Sequence, residues 1–348
     1  GEVEHVMPAG YLLCAVTLMA LCYYVWSIFH CMDRLYNEDF RMLSEQIIAR
    51  LTDIVGPKRL LLESEDLQRF GIDRTTIWQA NPCAVVLPGS VEEVQQIVLL
   101  ANERNLAIVP SGGRTGLSGG AVAKDGEIVV AMDRMNQVLD FNPMDRCVTL
   151  GAGMITAQLQ DFATQQGLFY PVDFASTGSS QIGGNIATNA GGINVIRYGM
   201  TREWVMGLKV VNGAGEILDL NRGLVKNNTG YDFRHLFIGS EGTLGIITEV
   251  QVRLSPIPES IMSAVCYFPD LDSAVQTAQE VIQYGIPIAR IEMLNKDQME
   301  ISIKYSKLEN ITASPTLFFE FHGSESSNKE AIKLVEELSK NNGGGDFK

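Results

Sequence analysis

The stretch Pro110-Ser-Gly-Gly-Arg-Thr-Gly-Leu-Ser-Gly-Gly120 limits this chain more than any other segment. Backbone so rich in glycine does not hold a regular helix or strand and belongs in turns or against a ligand. It follows a predicted strand, Leu106–Val109, so it reads as a turn leaving a sheet. Gly112, Gly113, Gly116, Gly119 and Gly120 permit positive φ and close approach. Successive backbone N–H groups can then point at one anion, and Ser111, Thr115 and Ser118 add hydroxyl donors. Two familiar phosphate loops are absent. There is no G-x-x-x-x-G-K-[ST], and no G-x-G-x-x-G between a strand and a helix. Alone, the loop fits either an anion nest or a purely structural turn.

Two further segments narrow the choice. Pro171 to Gly192 reads PVDFASTGSSQIGGNIATNAGG, too rich in small and amide residues for a simple linker. Its Asn185, Thr188 and Asn189 can donate and accept along the polar edge of a heterocycle, while Gly183, Gly184, Gly191 and Gly192 admit close backbone. Lys226-Asn-Asn-Thr-Gly-Tyr-Asp232 then precedes Ile238-Gly-Ser-Glu-Gly-Thr-Leu-Gly-Ile-Ile-Thr248, a third glycine turn entering a strand. Three such turns suit one extended ligand with separate phosphate and ring ends.

Apolar spacing predicts a helix at Leu43–Val55, a strand at Ala84–Leu87 and a helix from the N-cap Ser90, with Glu93 as capping-box partner, to about Asn105. Strands are predicted at Ile128–Met132, Cys147–Leu150, Val205–Val211 and Ile246–Leu254, with a helix near Thr156–Gln166. Pro256-Ile257-Pro258 marks a boundary. Beyond it strands Ser263–Phe268, Ala289–Leu294 and Leu317–His322 alternate with helices Leu271–Tyr284, Lys296–Tyr305 and Asn328–Ser339. This is the start of an α+β domain with a helix-covered sheet. The expected division is 1–41 as a hydrophobic N-terminal segment, 42–258 as the ligand-binding domain and 259–348 as an incomplete second domain.

The net charge of −14 excludes a phosphate-backbone partner, so nucleic acid is not expected. None of the six cysteines forms a C-x-x-C pair or stands at metal-ligand spacing from a histidine, and they read as isolated thiols. Residues 8–29 carry no charge and are long enough to span a bilayer as a helix. The stretch lacks the basic n-region of a secretory signal. Two readings stand side by side: a membrane anchor, or upstream sequence translated in frame ahead of Met42.

The region from about Ala80 to Pro258 resembles the FAD-binding domain of the vanillyl-alcohol-oxidase/PCMH-type flavoproteins, in the branch of glycolate oxidase FAD subunits and D-lactate dehydrogenases. Ile288-Ala-Arg-Ile-Glu-Met-Leu294, Tyr305-Ser-Lys-Leu308 and Pro315-Thr-Leu-Phe-Phe-Glu-Phe-His-Gly323 look like the cap-domain start of cytochrome-type D-lactate dehydrogenases. The resemblance implies a two-subdomain PCMH-type domain followed by a partial α+β cap. It implies that Pro110, Ser111, Gly112, Gly113, Arg114, Thr115, Gly116 and Gly119 hold the FAD pyrophosphate. Pro171, Gly178, Ser179, Gly183, Gly184, Asn185, Thr188, Asn189 and Gly191 would line the flavin and ribityl chain, with Glu241, Gly242, Ile246 and Ile247 near the adenine or pyrophosphate end. Some relatives attach FAD through a histidine of the first loop. Arg114 stands there, so non-covalent FAD is expected.

The family's substrate-side histidines and divalent-metal site lie in a C-terminal part that this chain lacks, and no metal ligand or catalytic base is assigned. Arg290 and His322 are weak candidates for the substrate side, against an ion pair of Arg290 with Glu292 or Glu320 and a strand-end role for His322. The implied activity is oxidation of a D-2-hydroxy acid, D-lactate first, with glycolate or D-2-hydroxyglutarate as alternatives, passing electrons to a cytochrome or quinone. A fragment that binds FAD without turnover is the other expectation. The implied location is membrane-associated or cytoplasmic, and mitochondrial in a eukaryote.

Overall fold

The computed structural model describes residues 43–220, 223–307, 309, 311 and 313–348. The apolar stretch 8–29, with His5, His30 and the three N-terminal cysteines, lies outside the described residues. Among those described, no helix is long and apolar enough to cross a membrane.

Four strands form the first sheet: β1 (Leu60–Leu61), β2 (Ala84–Val86), β3 (Ile108–Ser111) and β4 (Ile128–Ala131), in the order β1-β2-β4-β3. β2 and β3 both run parallel to β4, while β1 is antiparallel to β2. Every residue of β4 is buried, as a strand covered on both faces requires. Ile128 and Val130 enter the main core, and Val129 and Ala131 meet Phe70 and Val85 on the other side. The crossover from β2 to β3 is the helix Val91–Arg104. Ser90 caps it by accepting from the Glu93 N–H at 3.2 Å, and Asn105 closes it with φ 53°. The carboxylate of Glu93 accepts from the Gly89 N–H at 2.7 Å, one residue ahead of the partner a capping box would give it.

The second sheet is antiparallel, with β5 (Val138–Asn142), β6 (Cys147–Gly151), β8 (Val205–Asn212), β9 (Ile217–Leu220) and β10 (Gly245–Arg253) in the order β5-β6-β10-β8-β9. Its buried residues, among them Val148, Leu150, Val210, Val211, Val250 and Val252, share one core with the first sheet. A two-strand ribbon, β7 (Leu168–Phe169) with β11 (Ser255–Pro256), closes this part of the chain.

The chain then builds a three-stranded sheet from β12 (Ser260–Tyr267), β13 (Arg290–Leu294) and β14 (Thr316–Gly323), ordered β12-β14-β13. The helices Leu271–Gln283 and Glu325–Asn341 cover one face, and Ala264, Cys266, Leu317, Phe319 and Phe321 form its separate core. Asp270 caps the first of these helices at the Ser273 N–H, 2.8 Å away. Each predicted element is present within a few residues. The glycine-rich segment from Ser176 to Gly192 differs from expectation by enclosing a helix, Ile182–Ala187. Ile182 and Ile186 are fully buried, so packing holds a turn that Gly183 and Gly184 disfavour.

Candidate functional site

The three glycine turns converge on one cleft of about 360 Å³. Pro110, Ser111, Gly112, Gly113, Arg114, Thr115 and Gly116 line it from the end of β3. Gly183, Gly184, Asn185 and Thr188 line it from the helix Ile182–Ala187 and its C-cap, and Glu241, Gly242, Ile246 and Ile247 from the turn into β10. The turns also bond to one another. The Gly239 and Glu241 N–H groups donate to the Ile186 and Ala187 carbonyls at 3.0 and 2.8 Å, which occupies the open carbonyls of that helix end. A Cβ on Gly242 would stand 3.2 Å from the Pro110 ring.

The glycines of the first loop divide between them the two roles expected, positive φ and close approach. Only Gly119 has positive φ, at 83°, and the other left-handed residue of the loop is Arg114, at 58°. Gly113 is required by approach: its Cβ would fall 2.3 Å from the Ser179 carbonyl oxygen. Gly116 faces open space, with only a carboxylate oxygen of Asp73 at 3.9 Å, and a Cβ on Gly184 would meet nothing within 4 Å.

Arg114 is consumed by the fold. Its guanidinium pairs with both Asp133 oxygens at 2.9 and 3.2 Å, donates to the Gly112 carbonyl at 2.8 Å and lies 4.6 Å over the Phe70 ring. Asn185 lines the cleft but turns its amide N–H₂ inward to Thr156 Oγ1 at 2.7 Å; that oxygen also bonds the Ser180 hydroxyl at 2.8 Å. This buried polar group locks the helix Ile182–Ala187 to the helix Thr156–Gln165.

Six expected contacts do not line the cleft: Gly119, Pro171, Gly178, Ser179, Asn189 and Gly191. Gly119 serves the turn, since its N–H donates to Asp73 at 2.8 Å and its Cβ would strike Trp78 at 2.2 Å. The Pro171 carbonyl accepts from Asn194 Nδ2 at 3.1 Å, and the Ser179 N–H donates to the Ser176 carbonyl at 3.0 Å. Gly178 is exposed, with open space where a Cβ would stand. Asn189 turns its amide oxygen to the Arg202 N–H at 3.0 Å, and Gly191 faces Val195 and Met200.

Sequence reasoning missed Asp73, Phe174, Ser176 and Gln181, which also line the cleft. Asp73 had a local signal. Its Oδ1 accepts from the Thr75 N–H at 2.7 Å and hydroxyl at 2.6 Å, the Asx-turn pattern readable in Asp-Arg-Thr, and its Oδ2 reaches 46 residues onward to clamp Gly119. Gln181 sits in no such pattern.

Arg290 and His322 are brought together with each other and not with the cleft. Both join Glu320, Arg290 by an ion pair and His322 through Nε2 at 2.8 Å, and His322 Nδ1 lies 2.8 Å from the Tyr198 hydroxyl. His322 is 3% exposed. Of the two expectations for Arg290, the ion pair with Glu320 is the observed one. His235 lies elsewhere, between Arg202 Nη1 at 2.8 Å and Asp232 at 3.3 Å. Burial holds its pKa below the ordinary histidine value; Asp232 opposes that shift, while Arg234 and Arg202 reinforce it. Among the described residues no three or more His, Cys, Asp or Glu side chains gather as a metal site. The donor set for the metal implied by resemblance is therefore not assembled there, and no chemistry is derived through it.

A family model described as the FAD binding domain matches residues 82–221, and one described as the C-terminal domain of FAD linked oxidases matches 257–348. The chain belongs to the FAD-linked oxidase family. The first match contains Pro110 to Gly116 and the helix Ile182–Ala187, so the cleft is built largely within the FAD-binding domain; the second contains the whole β12-β14-β13 sheet. D-2-hydroxyglutarate dehydrogenase of Stutzerimonas stutzeri is 55% identical over 232 residues, covering 67% of this chain and 50% of that protein. The probable mitochondrial D-lactate dehydrogenase of Danio rerio is 38% identical over 306 residues, 87% of this chain and 61% of that protein. The chain thus spans about half to three-fifths the length of these relatives. A solved p-cresol methylhydroxylase superposes with a TM-score of 0.72 at 17% identity, over 87% of this chain and 65% of that one. At that identity the likeness is of fold, and it matches the α+β PCMH-type architecture expected from sequence.

Proposed function

We propose that this FAD-linked oxidase binds FAD non-covalently in the cleft and belongs to a dehydrogenase that oxidises a D-2-hydroxy acid. Convergence of three sequence-distant glycine turns on one cleft inside the FAD-binding domain carries the reading. The residues present fit the cofactor. Gly184 leaves open space for a flat ring, and Thr115 and the backbone of Gly112–Gly116 offer donors to phosphates. Asp73, Arg114 and Glu241 are charged residues lining the cleft, and Arg114 is neutralised by Asp133. Backbone and hydroxyl groups would therefore hold the pyrophosphate in place of side-chain cations. Bound FAD supplies the two-electron acceptor, while the protein supplies binding and orientation. We assign domain limits at 42–258 and 259–348, and take residues 8–29 as the stretch through which membrane association would be tested.

The substrate we favour is D-2-hydroxyglutarate, because the relative so named has the higher identity, with D-lactate second on the longer match. This reverses the order expected from sequence motifs. A cytochrome or quinone would take the electrons, in the mitochondrion where the host is a eukaryote. Arg290 and His322 are given a domain-joining role, since each is committed to Glu320. The test is FAD titration of the purified chain, followed by anaerobic addition of D-2-hydroxyglutarate, D-lactate, L-lactate and glycolate while the flavin spectrum is recorded. Bleaching by one D-acid identifies the substrate. A chain that takes up no FAD refutes the cofactor reading, and a fully loaded chain that no D-acid bleaches refutes the dehydrogenase reading.

A further inference from the structure

The cleft contains one polar group that the fold itself does not use. Gln181 is 5% exposed, and its carboxamide oxygen is buried without a hydrogen-bond partner among the described residues. The residue precedes the helix Ile182–Ala187, yet its side chain caps no backbone N–H there. Its carbonyl accepts from the Asn185 N–H at 2.9 Å. Gln181 lines the cleft, and a Cβ built on Gly112 would lie 3.7 Å from its Oε1. The other buried oxygens without partners, on Tyr170, Asn194 and Gln251, belong to residues that do not line this cleft.

A buried carbonyl oxygen without a donor has given up water and gained nothing in return. Because Gln181 lines the cleft, a bound ligand can bring the missing donor. Phosphate oxygens only accept, so the pyrophosphate does not satisfy it. The hydroxyls of a ribityl chain and the imide N–H of an isoalloxazine ring both do. We propose that Gln181 is a positioning residue for the flavin end of the cofactor, its Oε1 accepting from a ribityl hydroxyl or the imide N–H. This rests on the FAD reading above and changes it at one point: the flavin end lies against Gly112 and Gly184, which leaves Gly113–Gly116 to the phosphates.

The experiment compares the parent chain with Gln181→Leu and Gln181→Glu, measuring affinity for FAD and for ADP, the thermal midpoint of the FAD-free protein, and the spectrum of bound flavin. The leucine variant should bind FAD about ten- to a hundredfold more weakly. Its ADP affinity should hold, and its FAD-free midpoint should stay level or rise, whereas a merely structural glutamine would lower it. The glutamate variant, an acceptor at neutral pH, should keep FAD within a few-fold of the parent. Shifted absorption bands in the leucine variant identify the imide as donor, and unshifted bands the ribityl chain. Unchanged FAD affinity in Gln181→Leu overturns the proposal. So does ADP affinity falling in step with FAD, or Gln181→Glu failing as badly as Gln181→Leu. If the parent takes up no FAD, the cofactor reading itself falls.

Discussion

Two glycines on the same cleft should respond to a single added methyl with opposite signs. Gly184 lies inside the helix Ile182–Ala187 with no heavy atom within 4 Å of where its Cβ would stand, and its φ is not in the left-handed region. Alanine there relieves the conformational freedom glycine holds in the unfolded chain and should stabilise the FAD-free protein by about 0.5–1 kcal/mol. For a chain of this size that raises the melting temperature by roughly 1–3 °C. The same methyl projects into the space assigned to the cofactor. Overpacking a fitted contact costs about 1–3 kcal/mol, which is a Kd for FAD weakened by about five- to 150-fold. At Gly113 the new Cβ meets the Ser179 carbonyl oxygen at 2.3 Å, so Gly113→Ala should destabilise the protein before any cofactor is present. Differential scanning fluorimetry of stripped protein and fluorescence titration with FAD read the two effects separately. If Gly184→Ala holds FAD as tightly as the parent, the ring is not where the cleft geometry puts it.

Asp73→Ala strips acceptors from the Thr75 and Gly119 N–H groups and should cost about 1–3 kcal/mol in urea denaturation, with weaker FAD binding because the glycine loop loses its clamp. Tyr198→Phe leaves the buried His322 Nδ1 without its hydroxyl partner; it should cost a similar amount, about 1–3 kcal/mol, and speed hydrogen exchange in β14, while FAD affinity stays unchanged. His235 has a folded pKa below its ordinary value, so between the two values the unfolded chain binds more protons. Its contribution is present above about pH 6.5 and is lost as pH falls, so His235→Gln should flatten the acid side of a stability–pH curve. Burial pushes the Cys83 thiol up to about 11, with Glu127 adding to the shift. At pH 8 about one such thiol in a thousand is ionised, and mass spectrometry should find Cys83 alkylated by iodoacetamide only after denaturation.

The legible parts of the fold were those with a local cause. Ser90, Asp270 and the apolar spacing behind them announce their helices because caps and amphipathic stripes are written in neighbouring residues. The two-residue strands β1, β7 and β11 carry no such pattern, since their pairing is decided by whatever lies across the sheet. The helix Ile182–Ala187 was hidden for a related reason. Its sequence argues for a loop, and only burial of Ile182 and Ile186 makes it helical. In the cleft, sequence indicated which segments meet but not what each glycine is for. Positive φ and close approach were expected along the first loop as a whole, yet only Gly119 and Arg114 take the first and Gly113 the second. Gln181 could not be found at all from sequence, because its meaning lies in a partner that the folded chain does not provide.

The substrate-side candidates show how a pattern read along one strand yields the element without its partners. Alternation along β14 sends Leu317, Phe319 and Phe321 into the helix-covered core. By the same period Phe318, Glu320 and His322 face the other way, and Arg290 stands opposite Glu320 on β13. What sequence cannot supply is the surface they face, which is Tyr198 and Phe169 of the FAD-binding part. His322 Nε2 meets the Glu320 carboxylate at 2.8 Å, and Nδ1 meets the Tyr198 hydroxyl at 2.8 Å. Arg290 balances the Glu320 charge. Each group in the chain from Arg290 to Tyr198 thus has its donor or acceptor filled by the next. A histidine that reads as a strand end, or as a hand reaching for substrate, is the joint between the two parts of the molecule.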